Sequence, residues 1–298
     1  MSLIRPVLNA WLRLTEKPYL SRVEDPDAIR RGFERKARFY FRAPSGTIRD
    51  WETLGGRPSL SVSRRGAQPG PLILYFHGGA YIFGSPRTHQ AMLARLLLES
   101  GGRAILPEYR KAPENPFPAA VEDAVNVWMA LLERGETPGR IFIGGDSAGG
   151  GLALALLGEL LRKGLPLPAG VFALSPLTDL TFAGASMAAN EEADPMLPAH
   201  RVEDMAAFYL QGQDGTDPRA SPLFADFTGA PPVFLAVGDT EILRDDTLRI
   251  AKKLEQAGAS VDLKVEQDLP HVWPIFHNTL PEARATLRQI GLWIRQRT

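Results

Sequence analysis

The sequence predicts an α/β fold, in which a mainly parallel central β-sheet is covered by helices on both faces. Two observations support this: short apolar runs of strand length recur along the chain, and helical apolar periodicity fills most of the gaps between them. The predicted strands span residues 59–63, 72–76, 104–106, 140–143, 170–174, 233–237 and 261–265. Functional loops gather at the carboxyl ends of such strands, so distant residues can form one site.

Helical patterns separate most of these runs. Residues 119–132 follow a proline-rich loop, and residues 152–161 form an apolar helical pattern. A third helix is predicted over residues 247–256, with Asp245 and Asp246 at its start, where negative charge suits the helix dipole.

The N-terminal segment predicts an amphipathic helix. Apolar side chains recur there at helical spacing, at Leu3, Ile4, Val7, Leu8, Trp11 and Leu12. The residues that interrupt them are Arg5, Asn9, Arg13, Glu16 and Lys17. This pattern differs from the continuous apolar core of a signal peptide, and no run approaches the ~20 apolar residues of a membrane span. We therefore expect a cytoplasmic protein without a membrane span, whose first helix packs over the protein.

Composition predicts a single domain over residues 1–298, because 44% apolar content can bury a large core. The 34 basic and 34 acidic residues balance, which argues against a nucleic-acid partner and against a substrate recruited by bulk charge. We expect a small-molecule substrate. The absence of cysteine excludes disulfides and thiol catalysis. No H-E-x-x-H pattern occurs, so we expect neither a metal nor another cofactor.

A candidate nucleophile, Ser147, lies in the pentapeptide Gly-Asp-Ser-Ala-Gly at 145–149. A predicted strand precedes it and a helical pattern follows. On a sharp strand-to-helix turn, small flanking residues let the chain close with the serine hydroxyl exposed. The alternative, a dinucleotide-binding turn, requires G-x-G-x-x-G near the first strand and an acidic residue about 20 positions later, and the match fails that pattern.

Serine catalysis also needs donors for an oxyanion and a base. The loop after residues 72–76 begins His-Gly-Gly, so we assign the oxyanion hole to the amides of Gly78, Gly79 and Ala148, the residue after the serine. The five histidines are His77, His89, His200, His271 and His277. His271 follows the last predicted strand and is the preferred base; His277 is the alternative, and His77 is expected to brace the glycine loop.

The acid that orients the histidine is expected after residues 233–237. Counting from the end of that strand favours Asp239, whereas counting back from the Leu-Arg-Asp run at 243–245 favours Glu241. A carboxylate of either type can hold an imidazole in the required tautomer, so the residues alone leave both open.

Four separated stretches resemble the hormone-sensitive lipase branch of the α/β-hydrolase esterases. They are His-Gly-Gly at 77–79 with its trailing aromatic residue, Tyr-Arg-Lys-Ala-Pro-Glu at 109–114 with 117–120 and Asp123, Gly-Asp-Ser-Ala-Gly-Gly at 145–150, and Leu-Arg-Asp at 243–245 with Pro270 and His271. The resemblance implies the α/β-hydrolase fold. It also places the acid at Glu241, ahead of Asp239, because the family's acid precedes such a Leu-Arg-Asp run.

Two positions depart from the family pattern: Ala80 replaces the usual fourth glycine of the loop, and Ile242 replaces the proline after the acid. The resemblance further implies a cap, formed by about residues 1–45 and an insertion at 182–213 after the sixth strand. Glu114 and Asp123 are then expected to be a loop brace and a helix-surface charge.

The resembled family implies a serine carboxylesterase that hydrolyses short- to medium-chain acyl esters through an acyl-enzyme, with Ser147, His271 and Glu241 as its triad. A homodimer is plausible for the family. Two alternatives share the fold: an amidase or peptidase acting on small acyl amides, and a ligand-binding protein of the plant gibberellin receptor type. The receptors lack the catalytic histidine, so His271 argues against that alternative.

Overall fold

The computed structural model describes residues 2–66 and 70–298, so Met1 of the predicted cap lies outside them. The strands in these ranges are β1 (Thr47–Leu54), β2 (Arg57–Arg64), β3 (Leu72–Phe76), β4 (Arg103–Pro107), β5 (Ile141–Asp146), β6 (Gly170–Leu174), β7 (Val233–Gly238) and β8 (Val261–Glu266). They form one sheet in the order β1-β2-β4-β3-β5-β6-β7-β8. Strands β3 to β8 run parallel, whereas β2 is antiparallel to both of its neighbours.

The predicted α/β fold and its seven strands are confirmed, but β1 was not predicted. This strand lies at the edge of the sheet and is mostly exposed, with Trp51 44% exposed. An edge strand with little buried surface needs no alternating apolar pattern, so its sequence carries no clear strand signal.

The helices are α1 (Ile4–Arg22), α2 (Pro26–Tyr40), α3 (Pro86–Ser100), α4 (Ala119–Glu133), α5 (Ala148–Arg162), α6 (Ser186–Ala189), α7 (Val202–Leu210), α8 (Arg244–Gln256) and α9 (Pro281–Arg295). Side chains of β3 alternate between two cores: Leu72 and Leu74 pack with α4, α5 and α8, whereas Ile73 and Tyr75 pack with α3 and α9. This alternation covers both faces of the sheet, as predicted.

The N-terminal segment folds as α1 and α2, and the insertion after β6 contains α6 and α7. Arg30 of α2 donates to the carbonyls of Ile82 and Ala112 and pairs with Glu114, which ties α2 to two loops at the carboxyl edge of the sheet. The Arg30 hydrogen bond lowers the pKa of Glu114 to about 2. Within the described part of the chain, no helix combines the length and apolar character needed to cross a membrane.

The interpretation of Asp123 as a helix-surface charge is wrong. Asp123 is 2% exposed, and its carboxylate accepts hydrogen bonds from the backbone N–H (2.8 Å) and the side chain of Arg110 (2.9 Å). Arg57 of β2 approaches the same carboxylate to 3.4 Å. The acidic residue therefore ties α4 to the loop after β4, a role that its helical position alone does not reveal.

We expect Asp123→Ala to destabilise the fold by about 2 kcal/mol, because it removes the acceptor of the Arg110 N–H and of two guanidinium groups. The matched control is Glu122→Ala, which removes an exposed partner of Arg110 and should change stability by less than about 0.5 kcal/mol. Urea denaturation followed by circular dichroism measures both. Equal losses in the two variants would contradict the structural role of Asp123.

Candidate active site

Ser147 lies on a sharp turn between β5 and α5. Its backbone has φ 53° and ψ −125°, and a positive φ strains a residue that carries a side chain. The turn closes because position 145 is glycine: a Cβ on Gly145 would lie 2.1 Å from the carbonyl oxygen of Gly149. The Ser147 N–H donates to the Leu174 carbonyl at the end of β6 (2.8 Å). These contacts hold the serine at the carboxyl edge of the sheet.

The glycine loop after β3 lines the same cavity as Ser147. Gly79 has φ 119°, and a Cβ there would meet the Phe83 carbonyl oxygen at 2.2 Å, so the loop requires glycine at this position. Its carbonyl accepts from the N–H groups of Ile82 and Phe83, which closes the turn. Among the loop and turn hydrogen bonds of the described residues, the N–H groups of Gly78 and Gly79 donate to no backbone carbonyl.

The third predicted oxyanion donor, Ala148, is the first residue of α5. The first N–H groups of a helix have no acceptor inside the helix, and they carry the positive end of its dipole. The unusual fourth loop residue, Ala80, adopts φ 53° and lines the cavity. Its methyl group therefore takes space beside the site without removing a main-chain donor.

A buried polar network supports both turns. Asp146, next to the serine, accepts a hydrogen bond from the Tyr75 hydroxyl (2.7 Å) and lies 3.2 Å from His89 Nε2. His77 braces the glycine loop as predicted: its Nδ1 lies 2.8 Å from the carbonyl oxygen of the next residue, and its ring stacks on Tyr109 at 4.3 Å. The Tyr109 hydroxyl donates to the His77 carbonyl (2.7 Å). The sequence alone assigned no site role to Tyr75, His89 or Asp146.

The structure brings Glu241 and His271 together. Glu241 Oε2 lies 2.6 Å from His271 Nδ1, while Oε1 accepts from the Gly238 N–H (2.6 Å) and the Ser175 hydroxyl (2.8 Å). Glu241 is fully buried, and His271 is 4% exposed. Because Ser175 Oγ also accepts from the Val272 N–H (3.2 Å), one serine joins the acid to the histidine loop.

Asp239 and His277, the alternative candidates for the acid and the base, make other contacts. Asp239 accepts a hydrogen bond from the Asp268 N–H (2.7 Å), which ties the turn after β7 to the loop after β8. His277 is buried, and its ring nitrogens lie 3.2 Å from the Ile275 carbonyl oxygen and 3.3 Å from that of Arg42. Neither residue lines the cavity that contains Ser147.

We call Glu241 and His271 the dyad. Burial and the ion pair shift the pKa of each dyad residue in opposite directions. Burial on its own would lower the pKa of His271, but the hydrogen bond and negative charge of Glu241 outweigh it and raise that pKa. Burial raises the pKa of Glu241, and the contact with His271 opposes this increase. The imidazolium form of His271 is therefore stabilised, as a base that must accept a proton requires.

Ser147, His271, Gly78 and Gly79 line one cavity of about 330 Å³. Most of its wall is apolar. Further wall residues come from the helices around it: Leu8, Trp11 and Leu12 of α1, Ile29 and Phe33 of α2, and Met205 and Tyr209 of α7. In the described residues, no group of three or more histidine, aspartate or glutamate side chains is placed to hold a metal ion.

Three polar residues around the acid were not assigned a site role from the sequence. Ser175 directly follows β6, and its position at the carboxyl end of a strand is a signal that could have found it. Asn190 donates to the Glu241 carbonyl (2.8 Å), and Asp194 accepts from the Ile242 N–H (3.0 Å). Both lie in the insertion after β6, where a one-dimensional pattern does not reveal what they contact.

We expect the pKa of His271 to lie above its ordinary value, and Glu241→Gln to lower it. The substitution removes the negative charge that favours the imidazolium but leaves the burial that opposes it. An NMR titration of the histidine side chains measures both values. His277 provides an internal control, because burial lowers its pKa and Glu241 does not contact it. An unchanged His271 titration in the variant would contradict this explanation.

Comparison with known proteins supports the same architecture. Residues 73–275 match the model of a family described as having an alpha/beta hydrolase fold. An acetyl-hydrolase of Streptomyces hygroscopicus is 40% identical over 79% of each chain, and an esterase of Acinetobacter venetianus is 35% identical over 89% of this chain and 88% of its own. A crystal structure of an esterase from the bacterial hormone-sensitive lipase family superposes with a TM-score of 0.94, at 37% identity, over 100% of this chain and 99% of that one.

The family match covers more than half of the chain, and the esterase structure aligns over all of it. The strained serine turn, the glycine loop and the buried histidine–glutamate pair lie at the carboxyl ends of strands of this sheet. The chain belongs to the alpha/beta hydrolase fold family and, within it, to the bacterial hormone-sensitive lipase family.

Proposed function

We propose that this protein is a serine carboxylesterase that hydrolyses short- to medium-chain acyl esters, with Ser147 as nucleophile, His271 as base and Glu241 as acid. One observation carries the proposal: a serine on a strained turn and a histidine held by a buried carboxylate line the same largely apolar cavity. A serine hydroxyl is a weak nucleophile, and such a histidine is the group that activates it.

The reaction proceeds in two steps. His271 Nε2 takes the proton of the Ser147 hydroxyl as Oγ attacks the ester carbonyl, and then gives that proton to the leaving alcohol as the acyl-enzyme forms. Water then attacks the acyl carbonyl while His271 accepts its proton, and His271 returns that proton to Ser147 Oγ as the acyl–oxygen bond breaks and the free acid leaves. Glu241 accepts the Nδ1 hydrogen bond (2.6 Å), so Nε2 is the nitrogen free to act as base.

The amides of Gly78, Gly79 and Ala148 are proposed to hold the oxyanion. The two glycine amides have no backbone acceptor among the loop hydrogen bonds of the described residues, and Ala148 begins α5. Preorganised donors of this type each contribute about 3–4 kcal/mol to transition-state stabilisation in acyl transfer. Because the donors belong to the main chain, Ala80 is compatible with the mechanism.

We propose that α1, α2, α6 and α7 form a cap that sets the acyl preference. Side chains of α1, α2 and α7 line the cavity around Ser147, and its volume of about 330 Å³ suits a small substrate. The acetyl-hydrolase name of the Streptomyces relative also supports a short acyl group. Asp179 and Asp194 do not contribute to this preference and instead stabilise loops. Asp179, for example, forms an ion pair with Arg249 (2.7 Å).

We expect Glu241→Ala to lower kcat by about 10³- to 10⁴-fold, because the histidine loses its orienting carboxylate. Asp239→Ala should cost at most about tenfold, since it removes one hydrogen bond to the histidine loop. Initial rates on p-nitrophenyl butyrate compare the two variants. If Asp239→Ala were the severe one, the acid would be misassigned.

A series of p-nitrophenyl esters from acetate to palmitate tests the reaction itself. We expect the rate to peak at short or medium acyl length and to fall by about 10⁶-fold in Ser147→Ala. A matched p-nitroanilide, assayed beside the ester at the preferred length, separates ester from amide hydrolysis. Rates that are flat along the series and unaffected by Ser147→Ala would favour a ligand-binding role instead.

A further inference from the structure

One face of α1 carries a stripe of polar residues that the proposed reaction does not use. Its members are four residues apart and therefore lie above one another on the helix. They are Arg5, Asn9, Arg13 and Lys17, and we call them the polar stripe. Each of them contacts a loop next to His271 or Glu241, and none of these contacts is local in sequence.

The first half of the stripe holds the loop before His271. Asn9 is 1% exposed, and its Nδ2 donates to the Asp268 carbonyl (3.0 Å) and to Asp268 Oδ1 (3.1 Å). Arg5 donates to the Gln267 carbonyl (2.9 Å) and pairs with the Asp268 carboxylate (3.3 Å). The carbonyl and the carboxylate of Asp268 thus both accept from α1, while its N–H donates to Asp239.

The second half holds the segment that supports the acid. Arg13 donates to the Ala193 carbonyl (2.8 Å), and Lys17 donates to the Asp194 carbonyl (2.8 Å). Asp194 in turn accepts from the Ile242 N–H (3.0 Å), the residue directly after Glu241. Lys17 is thus linked to Glu241 through Asp194 and Ile242.

The histidine loop needs such support because its backbone is strained. Asp268 has φ 53° and Val272 has φ 51°, so two residues with side chains adopt the left-handed region on either side of His271. Each such residue costs about 1–3 kcal/mol and persists where surrounding contacts fix it. For a β-branched residue such as Val272 the conformation is especially unfavourable.

The same helix also faces the substrate cavity. Leu8, Trp11 and Leu12 of α1 line the cavity, and Leu12 is fully buried. Helix α1 therefore contacts the cavity on one side, and on another it contacts the His271 loop and the segment that supports Glu241. A change in its position moves all three together.

We propose that α1 is a positioning element for catalysis. Its polar stripe fixes the His271 loop and the segment that supports Glu241 relative to each other, so that the helix lining the cavity also fixes the dyad. This inference rests on the proposed function of the dyad. The stripe residues touch neither substrate nor the reacting atoms, so they are positioning residues and not catalytic ones.

The test compares Asn9→Ala and Lys17→Met with Thr15→Ala, whose hydroxyl bonds only within α1, to the Trp11 carbonyl. Misplacing a catalytic group by about 1 Å can cost about 100-fold. We expect Asn9→Ala and Lys17→Met to lower kcat by about 10- to 100-fold with KM changed less than about threefold. Thr15→Ala should match the parent. If Asn9→Ala does not fold, Lys17→Met decides.

Two readouts separate positioning from mere stability. A looser contact with Glu241 lowers the pKa of His271, so the acidic limb of the kcat/KM profile should move to lower pH in the stripe variants. The low-field proton NMR signal of His271 Nδ1–H, identified by its loss in His271→Ala, should shift upfield in the same variants. Both should be unchanged in Thr15→Ala.

Stripe variants that lower only the melting temperature, with the parent's pH profile and proton signal, would overturn the proposal. The proton signal needs no substrate, so it reports on the dyad even if the protein is not an esterase. Failure of the proposed function appears separately, as turnover that survives Ser147→Ala.

Discussion

A fully buried carboxylate constrains the carboxyl edge of the sheet, where the candidate site lies. Removing Glu241 from water costs several kcal/mol unless its oxygens are satisfied. Three donors meet that requirement, and they come from different parts of the chain: the Gly238 N–H at the end of β7, the Ser175 hydroxyl after β6 and His271 after β8. The ends of three neighbouring strands are thereby fixed around one charge, and the orientation of the histidine follows from its need for a partner.

Backbone strain accumulates at the same edge. Ser147 after β5, Ser175 after β6, and Asp268 and Val272 after β8 all have positive φ although none is glycine. Such conformations persist only where packing and hydrogen bonds determine them. Here the sheet fixes one side of these loops, and for the loop that contains Asp268 polar residues of α1 fix the other side. The stability of the fold thus holds strained backbone in place.

The sequence predicted what local patterns encode, and it failed where contacts decide. Seven strands have apolar runs, and the turn at Ser147 has a signature imposed by sterics, so both could be predicted. The choice between Asp239 and Glu241 depends on a turn in which the Glu241 N–H donates to the Gly238 carbonyl (3.2 Å), which places one side chain toward the histidine and the other toward Asp268. Two acids two residues apart give no local signal for that difference. Asp123 likewise differs from a surface charge only through Arg110.

Helix α1 shows why periodicity identifies a face but not its partner. The polar residues that interrupt its apolar run look, in sequence, like the solvent side of an amphipathic helix. In the structure the residues of the polar stripe contact residues more than 170 positions away, and Glu16 pairs with Lys36 of α2, whereas apolar Leu14 on the same helix is 79% exposed. Because the carbonyl groups at strained loops need donors, a stripe of long polar side chains is better suited to that face than an apolar one. The amphipathic pattern of α1 therefore reflects two contact surfaces, the cavity and the loops near His271 and Glu241, and not a simple boundary between core and solvent.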